Sequence, residues 1–466
     1  MGRLNRCGAK ESEHAVDMNR LASDPRMRVA ALTLSCFLLA STGWLLWLYH
    51  IAKLASPASV DVLTMGVGYL MQAIGIGATA FYGRGADHMQ LQRLTVGAIV
   101  AFVACLVPST LSPNLTSVLA FGYLANLLSG CMQSYYLFCL ARFVEAPRRG
   151  LVFGAAYAVS TGLSWLLSAV GGGMLTRGTP GLVSCGALAL LTLALVRMPL
   201  GDAVAEEQPR DASDHTTLYL ACIVVALMSL TKGAGFSFPT VDLVDGVNLE
   251  LSRLLYGVGL LIAGIVSDYD RKIGALCCAG ALVMPFLMLA LAGAAAPATI
   301  MWALGYLFNG FFSVFRVLLL ADLASEQGKP QLACLGLLFG RVGDSLGTII
   351  SIVLSSVPLV LITTVSVLFA LTIMLFFALY QRLYATAVEA TLSERELFER
   401  FATRHDLSSR EREVLRLVLE ERTNSEIASE LFVSEATVKY HVRNLLRKTG
   451  CRNRLEILAL YHGATS

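Results

Sequence analysis

The sequence predicts an all-α protein in two parts: a polytopic membrane helical bundle of six plus six spans, followed by a small four-helix domain. Three observations predict it. The first is composition. Of the 466 residues, 56% are hydrophobic and 15% charged, where a soluble domain carries roughly 25% charge. The second is distribution. Between Val29 and Tyr380 charge is sparse, and the apolar runs are long enough to cross a bilayer, at about 20 residues each. The third is a change of pattern after Leu407, where short amphipathic segments with capping residues replace the apolar runs.

Residues 1–28 are polar and mixed in charge. They lack the short apolar core and small-residue cleavage site of a signal peptide, and they read as a cytoplasmic tail. Twelve spans are predicted next, at 29–49, 60–82, 94–111, 117–141, 150–175, 179–198, 216–238, 251–268, 273–293, 298–321, 331–355 and 358–380. The polar loop 199–215 divides them into one half at 29–198 and another at 216–380. With the N-terminus inside, the internal segments before the last span carry sixteen Lys and Arg, and the external ones carry three, Lys53, Arg177 and Arg253. Basic residues stay on the cytoplasmic side. An even number of spans then returns the C-terminus to the cytoplasm. The expectation is a multi-pass protein of the cell membrane with both termini cytoplasmic and the lipid bilayer as its first partner.

The two halves repeat each other. Gly83 to Asp87 ends the second span in a Gly-x-x-x-Asp pattern, and Gly264 to Asp268 ends the eighth in the same way. Gly-Tyr-Leu-x-Asn stands at Gly122 to Asn126 and again at Gly305 to Asn309. The offsets are 181 and 183 residues. Two matches at nearly one offset imply a parallel six-plus-six repeat. On these residues and the span count, the membrane part resembles the major facilitator superfamily. Gln90 stands where that superfamily's loop usually has a second glycine.

Four ionisable residues fall within predicted spans: Lys232, Arg316, Arg341 and Asp344. Each costs about 2.5–3.5 kcal/mol at a helix centre on insertion scales, so each asks for a function or a partner. Arg341 and Asp344 are three apart on one helical face and are placed to pair with each other. Lys232 precedes Gly233, Gly235 and Pro239, which are expected to break the seventh span. It either faces a site there or snorkels to the external surface. Arg316 has no partner legible in sequence. Three positive charges and one negative predict a central cavity for a small anionic molecule. Trp44, Trp47, Tyr49, Tyr135, Tyr136 and Trp165 are candidate aromatic walls, or else packing residues. Gly171, Gly172 and Gly173, with Gly162, predict close helix approach in span five.

Residues 381–406 alternate Leu392, Leu397, Phe398 and Phe401 with charged residues, which predicts an amphipathic linker helix. It is read as a transmitter of movement, a pairing helix or a plain spacer.

Residues 407–466 form the last domain. Ser408 and Glu411 make a capping box. Val414, Leu415, Leu417 and Val418 give the first helix an apolar face. Asn424 is the expected cap of a second helix with Ile427, Ala428 and Leu431 inward. Phe432 and Val433 are the turn. Ser434 caps a third helix that ends at Gly450, and Leu455, Ile457, Leu458, Leu460 and Tyr461 lie on a fourth. On the third helix Val438, Val442, Leu445 and Leu446 form an apolar stripe. Lys439, Tyr440, Arg443 and Arg447 lie opposite, with Thr437, His441, Asn444 and Lys448 on one flank. A basic helix held by two others at a tight turn suits the major groove of double-stranded DNA. Lys and Arg match guanine acceptors, and Thr, Asn and His match phosphates.

The segments Arg410–Leu415, Asn424–Leu431 and Ser434–Gly450, with Asn453 and Arg454, resemble the LuxR-type (GerE-type) helix-turn-helix. The resemblance covers about an eighth of the chain. It implies that Lys439, Tyr440 and Arg443 face base edges, that Thr437, His441, Asn444 and Lys448 support backbone contacts or the fold, and that the fourth helix makes a homodimer. Two residues depart from the family pattern: Glu421 stands at a usual glycine, and Tyr440 is bulkier than usual.

The eleven cysteines are scattered without metal-ligand spacing and read as small apolar residues. No nucleophile elbow, phosphate loop or metal cluster is present in the sequence, so no enzyme activity and no cofactor is expected. The expected function is a membrane-bound regulator of promoters under a small-molecule sensor. The alternative is a secondary transporter with an appended DNA-binding reporter.

Overall fold

Capping residues fix where several of the helices begin. In the computed structural model, which describes residues 24–169, 177–200, 215–235, 249–284, 295–385, 395 and 397–463, Asp24 accepts from the Arg26 amide at 2.9 Å with Pro25 at the first helical position. Helix α1 (Pro25–Leu54) therefore starts before the predicted span. A short helix Pro57–Asp61 and a π-helical segment Val62–Val67 lead into α2 (Gly68–Tyr82). Asp87 and Gln90 form a capping box at α3 (His88–Leu111), and Asn114 caps α4 (Leu115–Phe143). Then follow α5 (Arg149–Ala169), α6 (Gly178–Arg197), α7 (His215–Gly235) and α8 (Leu249–Tyr269). Asp270 caps α9 (Arg271–Ala281). Helices α10 (Ala295–Glu326), α11 (Leu335–Leu354) and α12 (Pro358–Tyr380) complete the series.

Ten helices among the described residues are long and apolar enough to cross a membrane. The eighth predicted span corresponds to α8, whose apolar part is the shorter Leu254–Tyr269. The ninth is described over α9. The N-terminal tail before Asp24, loop residues 201–214, Pro239 and Gly171 to Gly173 lie outside the described residues. Helix α7 continues unbroken through Lys232 and Gly233 to Gly235.

The chain divides into two compact units, Met1–Tyr380 and Gln381–Ser466. Within the first, one packing pattern occurs twice, six helices apart. Helix α1 packs on α5 and α6, as α7 packs on α11 and α12. Helix α4 takes α2 and α3, as α10 takes α8 and α9. The halves meet along two seams, α2 with α11 and α5 with α8.

The repeat extends to backbone approach. A Cβ at Gly75 of α2 would collide with the Leu127 carbonyl of α4, and a Cβ at Gly259 of α8 with the Leu307 carbonyl of α10. Small residues let membrane helices come this close. Span five also makes close approaches, but at Gly150 and Gly154, which touch α8. Gly162 has open space around it, contrary to expectation.

At one end of the bundle the α5–α8 seam is fastened. Asp268 accepts from the Gly150 and Leu151 amides at 2.8 and 2.7 Å, a carboxylate on a helix N-terminus. Arg271 lies 2.9 Å from both Asp268 and Asp322, and Arg149, 2% exposed, donates to Asp322 at 2.8 Å. The equivalent aspartate of the first half behaves otherwise, because Asp87 turns back to cap α3.

In the second unit, helix α13 (397–404) precedes α14 (Ser409–Leu419), α15 (Asn424–Glu430), α16 (Glu435–Thr449) and α17 (Arg454–Gly463). Phe398, Phe401, Ala402 and Leu407 share one core with Val414, Leu415, Leu417, Val418, Ile427, Ala428, Val438, Leu445 and Ile457. The end of the linker is thus an integral fifth helix of this unit. Leu392 lies outside the described residues.

Candidate nucleic-acid interface and membrane cavity

Helix α16 is aimed by its buried side. Val438 and Leu445 are fully buried, and Val442 and Leu446 pack beside them. Ser434 accepts from the Thr437 amide at 3.1 Å and shares a 2.8 Å bond with its hydroxyl. Gly450 ends the helix in the left-handed region at φ 74°. This rotation leaves Lys439, Tyr440, Arg443 and Arg447 exposed together, with Thr437, His441, Asn444 and Lys448 half-buried along the flank. Lys439 lies 2.9 Å from Glu435 one turn earlier, with both side chains more than half exposed. Such surface pairs are worth little, so the ammonium is readily released to a phosphate or a base.

One detail differs from expectation, the cap of the second helix, and two others gain a geometry. The second helix is capped by Thr423, whose box partner is Glu426, and Asn424 is its first helical residue. Glu421 takes φ 59°, the left-handed conformation that explains why glycine suits this loop. Lys448 is turned inward, its Nζ 2.7 Å from both Glu411 Oε2 and the Asp406 carbonyl.

The Glu411–Lys448 pair ties α14 to the end of α16. Burial pushes the Glu411 carboxyl up, but Lys448, the Ser408 amide and the Ser408 hydroxyl together hold it below its ordinary 4.5. A carboxyl depressed on folding adds stability that is complete above its unfolded value and lost as pH falls through the folded one. Hydrogen exchange at α14 and α16 amides is therefore expected to accelerate relative to α12 when pH drops below about 4.5. Glu411→Gln should start less protected and show a flatter pH response. An unchanged pH response in that variant would refute this role for the pair.

The membrane unit contains a cavity of about 310 Å³ lined by helices of both halves. All four sequence-predicted ionisable residues lie on it. Asp344 is the hub: Lys232 Nζ is 2.8 Å from its Oδ1, and an Arg316 nitrogen is 3.3 Å from its Oδ2. Lys232 and Arg316 also approach the Phe312 ring, at 4.8 and 5.2 Å. Lys232 thus points into the cavity. Arg341 does not pair with Asp344, three residues on. Its guanidinium sits 4.3 Å from the centre of the Tyr69 ring, across the α2–α11 seam. The reason is competition, since two cations from other helices already occupy the carboxylate.

Of the candidate aromatic walls, Trp44 and Trp165 line the cavity. Trp47 is buried and donates to the Val118 carbonyl at 3.1 Å. Tyr49 lies under Arg177, Tyr135 bonds His88 at 3.1 Å, and Tyr136 packs on Phe37. Sequence reasoning missed the polar wall of Gln72, Gln133 and Asn309. Its signal was present, because Asn309 belongs to the repeated Gly-Tyr-Leu-x-Asn segment.

Comparisons with known proteins agree with both halves of this description. The family described as bacterial regulatory proteins, luxR family, matches residues 405–461. The spore germination protein GerE of Bacillus subtilis is 46% identical over 54 residues, which are 12% of this chain and 73% of that protein. In longer bacterial response regulators the match spans as little as 26% of the relative. Among solved structures, the human organic anion transporter MFSD10 aligns with TM-score 0.55 at 14% identity, over 76% of this chain and 99% of its own. The Escherichia coli fucose:proton symporter FucP aligns at 0.54 and 13%, over 77% and 98%. At these identities the likeness is one of fold: the membrane unit has the architecture of major facilitator transporters.

Proposed function

We propose that this chain, which belongs to the LuxR (GerE-type) family of bacterial regulatory proteins through its C-terminal domain, is a transcriptional regulator tethered in the cell membrane. Both termini lie on the cytoplasmic side, and the regulator acts on promoter DNA as a homodimer. The observation that carries the reading is the exposed row Lys439, Tyr440, Arg443 and Arg447 on a helix whose other face is buried. Lys439 and Arg443 read base edges and Tyr440 packs beside them. Thr437, His441 and Asn444 hold the backbone, and Lys448 holds the fold. The facilitator-like unit senses a small anionic molecule in its cavity, where Lys232, Arg316 and Arg341 outnumber Asp344. Occupancy shifts the balance between two arrangements of the halves and so changes how freely two DNA-binding units pair. No catalytic step is assigned.

Genome-wide DNA occupancy of the full-length protein tests this. Discrete peaks are expected, and Lys439→Ala or Arg443→Ala should weaken operator binding by about 1–3 kcal/mol each with membrane insertion unchanged. Peaks that persist in both variants would remove the assigned face. A second reading, a secondary transporter with an appended DNA-binding reporter, is favoured by the cavity at the meeting of two facilitator-like halves. Concentrative uptake into vesicles separates the two.

A further inference from the structure

We propose that the cavity takes an aromatic monocarboxylate that carries a hydrogen-bond donor on its ring, held between the two halves. The proposal rests on the anionic-ligand reading of this cavity and narrows it to a chemical class.

Charge sets the first requirement. Asp344 engages Lys232 and Arg316, whereas no carboxylate forms an ion pair with Arg341 among the described residues, and Arg341 Nε has no hydrogen-bond partner among them. One guanidinium is therefore left to a ligand. Its planar fork matches a carboxylate in two parallel bonds.

The wall sets the second. Trp44, Trp165 and Tyr157 line the cavity, and Tyr157 is already stacked on Phe37 at 3.9 Å. The guanidinium itself lies on Tyr69. Flat aromatic surfaces of this kind favour a ring over an alkyl chain. A volume of about 310 Å³ is at the small end of ligand pockets, about 300–1,000 Å³, and suits one or two rings.

The third requirement comes from the opposite half. Asn126 Nδ2 donates to the Gly122 carbonyl at 2.9 Å, which fixes the orientation of that amide. Asn126 Oδ1 must then accept, and it takes Gln72 Nε2 at 2.8 Å. Gln72 is fixed in turn with Oε1 unused, and this oxygen has no partner among the described residues. Gln133, which donates to Ser129 at 2.9 Å, likewise leaves Oε1 without one. Gln72 is 5% and Gln133 4% exposed. Buried acceptors left unsatisfied are costly, so the first half asks for an O–H or N–H donor where the second asks for an anion.

The test is calorimetric titration of the purified full-length protein in lipid nanodiscs. The probes are 4-hydroxybenzoate, benzoate, 4-hydroxybenzamide, hexanoate and inorganic phosphate. The expected result is that 4-hydroxybenzoate binds about tenfold or more tightly than each of the others, one bond or one charge apart. Arg341→Gln should erase its advantage over 4-hydroxybenzamide, and Gln72→Leu its advantage over benzoate, leaving the other advantage intact in each case. Equal binding of hexanoate, or of benzoate, overturns the assigned class. If phosphate alone binds and needs Arg341, the anionic cavity stands and the aromatic class falls. If no probe binds, both fall. Should Gln72→Leu fail to yield monodisperse protein, the five probes on the unmodified chain still decide.

Discussion

Asp344→Ala is expected to cost about 3–5 kcal/mol, the scale of removing one partner from a buried ion group, and to collapse the yield of folded membrane unit. The carboxylate is 5% exposed and answers two cations, Lys232 on α7 and Arg316 on α10. Without it the two cations stand side by side on the cavity wall, both against the Phe312 ring, with their shared counter-charge gone. Asp344→Asn should be nearly as harmful, since it keeps shape and loses charge. The decisive comparison is the variant with all three changed, Lys232→Met, Arg316→Met and Asp344→Leu. Apolar replacement of a whole buried ion group is often neutral, so its thermal midpoint should recover above that of Asp344→Ala. A triple variant no more stable than the single one would show that the charges are not coupled as described.

Phe401→Ala should unfold the DNA-binding unit while leaving the membrane unit intact. Phe401 is 5% exposed, packs edge-on against Tyr461 of α17 at 5.3 Å and against His405 at 4.6 Å, and sits in the single core of that unit. Truncating a buried phenylalanine costs about 3–5 kcal/mol, a large part of the stability of a domain this small. Limited proteolysis of the full chain should cut within 397–463 and spare the helices before Tyr380, and operator binding should disappear. Phe432→Ala is the control. That ring is 95% exposed in the turn before α16, and its loss should leave proteolysis unchanged. Equal resistance of Phe401→Ala and the unmodified chain would make α13 a spacer after all.

Sequence periodicity was enough for the helices, the caps at Ser408 and Ser434 and the exposed basic row, because each depends on neighbours within four residues, and it missed the second helix's cap by one residue, Thr423 for Asn424. Ser408 with Glu411, and Ser434 with Gly450, stand as capping residues in the structure. Partners chosen across the fold were not legible. Arg341 and Asp344 looked like a pair because they are three apart, yet the carboxylate's nearer cations come from helices 112 and 28 residues away in the chain. Phe398 and Phe401 showed an apolar stripe, but a stripe does not say what covers it. Lys448 carried the same ambiguity. Its place on the flank fits phosphate and fold alike, and only the nearness of Glu411 decides its geometry. The amides of Gln72 and Gln133 were hidden for another reason: uncharged polar residues cost too little in a span to stand out by composition.

A sheet of paper can be glued along one edge, and the fastening at α5 and α8 binds the two halves in that way. At that end of the bundle Asp268, Arg271, Asp322 and Arg149 bind the halves along one seam, while Asp87, the counterpart on the other, is committed to its own helix. The other margin has a bond of its own, the Ser345 hydroxyl donating to the Gly66 carbonyl at 2.7 Å. Arg341 and Tyr69 straddle that margin, one on each leaf. Carboxylates thus bind one edge of the page, and a cation on an aromatic ring spans the other.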